Sequence, residues 1–232
     1  MAPSRKLNLA ALILRLMSVA MPAAADPRPV VVELFTSQGC SSCPPADAFL
    51  AELARRGDVL ALGFHISYWD SLGWKDPLSS PISTERQKAY ARHFTDGRVY
   101  TPQMVVDGTD EMVGSDRKAV LAALPAARPD AIAPVSFAAD RRSVVIGSGA
   151  GNGEVLLVRF VQHRATDVGA GENSGRRADD FNGVRTLARL GAWGGSKLEF
   201  AIEPPAVGEG LAVLVQAPDG HMLGAAMVLG TG

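Results

Sequence analysis

The fold is decided by the stretch VVVELFTSQGCSSCPPADAFLAEL, residues 30–53. It opens inside the apolar run PVVVELF, residues 29–35, which is rich in β-branched side chains. Such a run is typical of a strand buried on both faces of a parallel sheet. Apolar residues at helical spacing follow over 46–56, and Gly57 can end that helix. Cys40 and Cys43 are therefore predicted to lie where a buried strand turns into a helix.

The next part of the chain continues the alternation of strands and helices. The tight-turn dipeptide Asp107-Gly108 predicts that strand 103–106 returns as an antiparallel neighbour. The predicted order is β-α-β-α-β-β-α, with strands 29–35, 59–66, 103–106 and 111–113 and helices 46–56, 83–94 and 115–127. This order predicts a single α/β domain over residues 28–127.

The character of the sequence changes after a Pro- and Ala-rich linker at 125–134. Short β-rich runs separated by Gly, Asn, Asp and Pro predict a smaller all-β, sandwich-like region over 132–230. Between two of these runs we expect a long polar loop, residues 166–182, which carries Glu172 and Asn173. Long loops in compact domains are usually functional or disordered. This loop is predicted either to fold over the cysteine site or to stitch the two domains together.

The first 25 residues have the pattern of a secretion signal. A basic start is followed by a mostly apolar stretch, residues 7–19, and by the small residues 23–25. Arg15 interrupts the apolar stretch, so an uncleaved anchor or a misassigned start stays open. We expect an exported protein, periplasmic or secreted, with no stable membrane association after cleavage. Its formal net charge of −1 gives no electrostatic footprint for nucleic acid.

The chemistry of the cysteine pair follows from its place before a helix. Pro44 and Pro45 lack amide protons and suit a first helical turn, so the helix could begin near Ser42 or near Cys40. Either start puts Cys40 at the positive end of the helix dipole, which favours its thiolate. Cys40 is then the predicted nucleophile, and Cys43 can attack the mixed disulfide from within.

A structural disulfide and a metal site are the alternatives for this pair. Closing a four-residue loop contributes about 2 kcal/mol by the chain-entropy formula, against about 3 kcal/mol for a fifteen-residue loop. A single disulfide kept for stability would gain more from a longer span. Cys40 and Cys43 are the protein's only two cysteines, so we favour redox activity.

Residues 30–127 resemble the thioredoxin-like superfamily. The resemblance is based on the motif Cys40-Ser-Ser-Cys43 and on Thr101-Pro102, which precedes a predicted strand. The resemblance implies that Pro102 is cis and lies against the cysteines, and that Thr101 pairs with substrate backbone. Gly39 departs from the pattern, since many members have tryptophan there. With FTSQGCSSCPP, YWD and GENSGR, the mature chain is similar to a family of secreted bacterial thioredoxin-like proteins of unknown function.

Three further residues are candidates for the site. Glu33 interrupts the first strand, and its position resembles the buried acid that exchanges protons with the inner cysteine of thioredoxins; it could equally be solvated or paired with arginine. His65 could assist proton transfer or could be structural. Trp69 is assigned with Gly39 and Thr101 to substrate binding, although packing is the alternative.

The leading functional prediction is an exported thiol–disulfide oxidoreductase with catalytic Cys40, Cys43, Pro102 and Glu33. Its partner would be a protein or small-molecule thiol or disulfide, without a cofactor or an assigned metal. One alternative is a copper carrier that adds His65 or Met104 to the cysteines, since thiolate, imidazole and thioether suit Cu(I). Another is an interaction protein in which the disulfide is incidental. The direction of the reaction and the oligomeric state stay open.

Overall fold

The computed structural model describes residues 28–126 and 131–231, and the predicted signal segment lies outside them. No helix in the described ranges is long and apolar enough to cross a membrane. The elements are β1 Val30–Thr36, α1 Pro44–Leu53, β2 Val59–His65, a 3-10 turn Asp70–Leu72, α2 Pro81–Phe94, β3 Gln103–Val106, β4 Asp110–Val113, α3 Arg117–Ala126, β5 Val135–Phe137, β6 Ser143–Ile146, β7 Gly153–Asp167, β8 Arg177–Trp193, β9 Leu198–Ala201, β10 Glu209–Gln216 and β11 Met222–Leu229.

Eight strands form one mixed sheet in the order β11-β10-β7-β8-β2-β1-β3-β4. β1 pairs in parallel with β2 and antiparallel with β3. A single parallel bridge, Gly63 to Gly183, joins β2 to β8. One sheet thus runs from the N-terminal elements into the C-terminal strands. The predicted α/β class is confirmed, whereas the division into domains 28–127 and 132–230 stays a prediction.

The central strand β1 is buried along its whole length, as its apolar run predicts. On one face Val32 and Leu34 belong to a core cluster with Phe49 of α1. On the other face Phe35 belongs to a cluster with Tyr90 of α2. Because helices cover both faces, neither face of β1 needs polar residues.

A second, three-stranded sheet has the order β5-β6-β9. Its residues share a buried cluster with side chains of β7, β10 and β11, and Trp193 of β8 is the largest of these, at 1% exposed. This is the sandwich-like packing predicted for the C-terminal region, except that its larger sheet is shared with the N-terminal elements.

The predicted long loop at 166–182 is wrong in its extent. β7 continues to Asp167 and β8 begins at Arg177, so the connection covers only residues 168–176, which we call the hairpin tip. The inward-facing residues at this end of β8 are Asp180 and Asn182, both buried. Because these inward-facing residues are polar, the start of β8 lacks the apolar–polar alternation by which a strand is recognised in a sequence.

Candidate functional site

The cysteine loop, residues 37–43, connects β1 to α1. Cys40 and Cys43 form a disulfide with their Cα atoms 5.4 Å apart. Two backbone turns shape the loop, because Cys40 N donates to Ser37 O at 3.1 Å and Cys43 N donates to Cys40 O at 3.2 Å. The sequence placed the pair between a strand and a helix, and that placement is confirmed.

Helix α1 begins slightly later than either predicted start. Pro44 is its first residue and Cys43 is its N-cap. The carbonyl of Cys43 accepts the amides of Ala46 and Asp47 at 2.8 and 3.1 Å. The two prolines explain the delay, because they lack amide protons and occupy the first turn. The disulfide still lies at the amino end of the helix dipole.

The peptide bond between Thr101 and Pro102 is cis, as the resemblance implied. It lies beside the cysteine loop, since Ser42 Oγ donates to Thr101 O at 3.5 Å. The Sγ atom of Cys40 lies 3.3 Å from the same Ser42 Oγ. The structure therefore brings together the loop and the proline that the sequence connected only by analogy.

Trp69 lies next to both of the other predicted substrate-binding residues. Its indole Nε1 donates to Thr101 Oγ1 at 2.8 Å. A side-chain carbon built at Gly39 would lie 3.5 Å from Trp69 Cβ, in ordinary van der Waals contact. Trp69 also packs against the core cluster of β1 and α2, so it has a structural contact as well. A role for these residues in substrate binding stays a prediction.

Both cysteines are fully buried, with 0% of their surface exposed. The hairpin tip covers them: Asn173 Nδ2 donates to Gln38 O at 2.9 Å and to Cys40 O at 2.8 Å. Glu172 Oε2 accepts the backbone amide of Ser41 at 3.1 Å, and hydrogen bonding by the side chain and the backbone of Ser41 lowers the pKa of Glu172. Two roles were predicted for this segment, and in the structure it lies over the cysteine site. Neither cysteine is reachable from solvent in this closed arrangement, although Cys40 is the predicted nucleophile.

The tip is shaped by backbone contacts of its own. Val168 N donates to Arg176 O at 2.9 Å, and Gly175 N donates to Val168 O at 2.8 Å. Gly171 has a φ of +74°, and a side-chain carbon there would lie 3.2 Å from Trp74 Cβ. A glycine is required at this position, both by its left-handed conformation and by the close approach to the tryptophan.

A buried polar network continues from the cysteine loop into the sheet. His65 Nδ1 lies 2.7 Å from Asp76 Oδ2 and His65 Nε2 lies 3.8 Å from Asp180 Oδ1. Burial opposes a charged imidazole, yet the two carboxylates raise the pKa of His65 to about 9. Gln38 connects both carboxylates to the loop. Its backbone N–H donates to Asp76 Oδ2 at 2.8 Å, and its side-chain Nε2 donates to Asp180 Oδ2 at 2.6 Å. His65 is thus charged and fixed at neutral pH.

Asp47 is a site residue that sequence reasoning missed. It lies one turn beyond Cys43 on α1, and Thr36 Oγ1 donates to its Oδ1 at 2.6 Å. Burial raises the pKa of Asp47 to about 7, although Thr36 and His65 act in the opposite direction. The available signal was its spacing of four from Cys43, which places both residues on one helix face.

The structure shows the arginine-paired alternative for Glu33, and its geometry gives no support to the predicted proton-exchange role. Its two carboxylate oxygens accept Arg86 Nε and Nη2 at 2.5 and 2.9 Å, and Tyr90 also donates to it. Arg86 and Tyr90 belong to α2, which covers the face of β1 opposite to α1. Successive side chains of a strand alternate between faces, so Glu33 points away from Cys43.

The copper alternative gains no support from the geometry. Both ring nitrogens of His65 face carboxylates, and Met104 is buried in the core cluster with Leu34 and Phe49. Within the described parts of the chain, His, Cys, Asp and Glu form no group of three or more that could hold a metal ion.

The chain is similar to two proteins of known structure. Protein AGR_C_4864 from Agrobacterium tumefaciens is 32% identical, with a TM-score of 0.73 over 91% of this chain and 97% of that chain. HBP35 of Porphyromonas gingivalis shares the fold at 13% identity, with a TM-score of 0.53 over 88% and 76% of the two chains. No curated protein matches the sequence. Residues 31–216 match DUF1223, a protein family of unknown function, and this chain therefore belongs to the DUF1223 family.

Proposed function

We propose that this protein is an exported thiol–disulfide oxidoreductase with a thioredoxin-like fold. The observation that carries the proposal is the Cys40–Cys43 disulfide at a strand-to-helix turn, beside the cis bond before Pro102. The order β1-α1-β2-α2-β3-β4-α3, with β3 antiparallel to β1, supports the thioredoxin-like assignment. The export part rests on the composition of residues 1–25.

The proposed reaction exchanges two electrons between this disulfide and a dithiol substrate. A substrate thiolate attacks Sγ of Cys40, the bond between the two cysteines breaks, and Cys43 leaves as a thiolate. The second substrate thiol then displaces Cys40, so the substrate leaves as a disulfide and the protein keeps two thiols. In the reverse direction Cys40 attacks a substrate disulfide and Cys43 resolves the mixed disulfide.

Groups around the pair suit both sulfurs. The amino end of α1 and the hydroxyl of Ser42, 3.3 Å from Cys40 Sγ, favour a thiolate at Cys40. Asp47 lies one turn beyond Cys43, and its pKa of about 7 is matched to taking up and returning a proton at neutral pH. In this proposal Asp47 takes the acid–base role that the sequence suggested for Glu33.

The closed tip adds an opening step to this reaction. With both sulfurs at 0% exposure, an attacking thiol needs the contacts of Asn173 and Glu172 with the cysteine loop to break. These contacts are few and local, and segments of that kind open at low free-energy cost. Exchange then occurs in a minor open state.

A second candidate function follows from the same burial. A disulfide sealed under the tip could hold the cysteine loop in shape while another surface binds a partner. This function predicts that reduced protein keeps its sulfurs unreactive and that partner binding does not change on reduction.

The decisive experiment compares wild type with Cys40→Ser and Cys43→Ser. We expect Cys40→Ser to reduce turnover of a dithiol or disulfide substrate to background, while Cys43→Ser accumulates a mixed disulfide on Cys40. Circular dichroism of each variant checks that the fold survives. Wild-type turnover by Cys40→Ser would overturn the oxidoreductase and favour the second candidate.

A further inference from the structure

A cavity of about 440 Å³ lies beside the cysteine loop, between α1 and the end of the β7–β8 hairpin. Its volume is within the usual range for small-molecule sites, roughly 300–1,000 Å³. Gln38, Pro44 and Asn173 line it on the side of the disulfide, and Phe181 adds an aromatic wall.

The arginines of this cavity are less well neutralised than its acids. Among the described residues, the guanidinium of Arg176 has no hydrogen-bond or ion-pair partner, and Arg177 Nη1 lies 3.5 Å from exposed Asp167. Arg55 lies over the ring of Phe181, at 5.4 Å from its centroid. A guanidinium in this state can bind a carboxylate through two parallel hydrogen bonds.

The acids of the cavity already have partners. Glu52 pairs with Arg117 at 2.6 Å, and Asp179 lies 3.0 Å from His163. Asp180 accepts Gln38 Nε2 at 2.6 Å. Asp47 accepts the hydroxyl of Thr36, and burial raises its pKa. Each of these acids therefore has a partner within the protein, whereas Arg176 has none among the described residues and is left for an anionic group of a ligand.

The wall also contains a buried acceptor without a donor. Asn173 is only 4% exposed and its Oδ1 has no hydrogen-bond partner among the described residues. Its Nδ2, in contrast, donates to Gln38 O and Cys40 O. A buried polar atom without a partner is costly, and a ligand N–H would satisfy this one.

We propose that this cavity binds a short peptide thiol, with a free carboxylate on the arginines and a backbone N–H on Asn173 Oδ1. The thiol part rests on the proposed function, whereas the carboxylate and N–H contacts rest on the cavity alone. Because the side chain of Asn173 both holds Cys40 O and lines the cavity, the occupant lies next to the disulfide. Once the tip opens, two peptide thiols would reduce the protein disulfide to two thiols and leave joined as the peptide disulfide.

The binding test uses S-methylglutathione, a carboxylate-bearing tripeptide that cannot exchange disulfides. Calorimetry should show saturable binding with a Kd below about 10 mM, to wild type and equally to the Cys40→Ser/Cys43→Ser protein. Arg176→Ala/Arg177→Ala should weaken it roughly tenfold or more, because charge-assisted hydrogen bonds are lost. Arg92→Ala changes an exposed arginine on α2 outside the cavity and serves as the matched control.

Further arms separate this inference from the proposed function. The diethyl ester of S-methylglutathione, which lacks free carboxylates, should bind at least about tenfold more weakly. Equal binding of the ester, no saturation below about 10 mM, or equal effects of the double-arginine variant and Arg92→Ala would each overturn the cavity assignment. If Cys40→Ser keeps full turnover while the peptide still binds to the wild-type protein, the redox chemistry is overturned and the peptide site is retained. Glutathione that binds but never reduces the disulfide would overturn its thiol part.

Discussion

Two carboxyl groups lie on opposite faces of β1 and differ in the partners that surround them. Glu33 faces α2 and is paired with the guanidinium of Arg86 and the hydroxyl of Tyr90. Asp47 faces the other side, where its hydrogen-bond partner is the hydroxyl of Thr36, and burial raises its pKa to about 7. A carboxylate fixed by a guanidinium serves the fold, whereas one without such a partner can exchange a proton near neutral pH.

The largest effect should come from breaking the Glu33 pair. Arg86→Met leaves a buried carboxylate without its cation, and removing one partner of such a pair costs roughly 3–5 kcal/mol of unfolding free energy. The matched variant Glu33→Gln/Arg86→Met should recover much of this loss. Urea unfolding compares both variants with wild type. If Arg86→Met unfolds at the wild-type midpoint, Glu33 is not held as we describe.

Asp47→Asn should have a smaller effect and the opposite sign. The folded pKa of about 7 lies above the ordinary value of 3.8, so the native state binds more protons between these values and stability falls as pH rises from about 4 to about 7. We expect the Asp47→Asn protein to be more stable than wild type by about 1–2 kcal/mol at pH 8, discounted for partial exposure, and equal to it below pH about 4. His65, Asp180 and Asp76 surround this position in both proteins, so the difference between the two unfolding curves reports Asp47 together with its electrostatic effect on His65.

The same variant also tests the acid–base proposal. If Asp47 returns a proton to Cys43, Asp47→Asn should remove the inflection near pH 7 from the rate of exchange. A pH profile identical to that of wild type would restrict Asp47 to stability.

The remaining effect is on the rate of reduction and belongs to the tip. Asn173→Ala removes two hydrogen bonds to the cysteine loop, worth about 1 kcal/mol each, and should raise the rate at which a small thiol reduces the disulfide by roughly tenfold or more. Ser174→Ala, on an exposed residue of the same tip, is the control. Equal reduction rates for both variants and wild type would show that the tip does not limit access.

Local patterns in the sequence were enough for the central elements. The apolar run of β1 and the turn signal Asp107-Gly108 each depend on neighbours within a few residues, and the structure has a buried strand and an antiparallel pair of strands at these positions. The register that brings Pro102 to the cysteines was available only through the resemblance, because it depends on how β3 pairs with β1.

The rest of the site depends on contacts that no local pattern carries. Asp47 looks like a solvent-facing helix residue, and its raised pKa comes from burial beside distant residues such as His65 and Asp180. The inward face of β8 is polar where it meets the site. For this reason the start of the strand lacks apolar alternation and was predicted as part of a loop. Glu33 is the converse case, since its partner Arg86 lies 53 residues away and could not be chosen from sequence.

Under the proposed opening of the tip, which breaks the contact between Glu172 and the Ser41 amide, access to the sulfurs is an equilibrium rather than a fixed property. Any reagent's observed rate is then its intrinsic rate multiplied by the fraction of molecules with the hairpin displaced. Hydrogen exchange at that one amide follows the same fraction. A partner that binds the displaced hairpin would raise the observed rate of reaction with every thiol reagent by the same factor, without altering the chemistry of the sulfurs themselves.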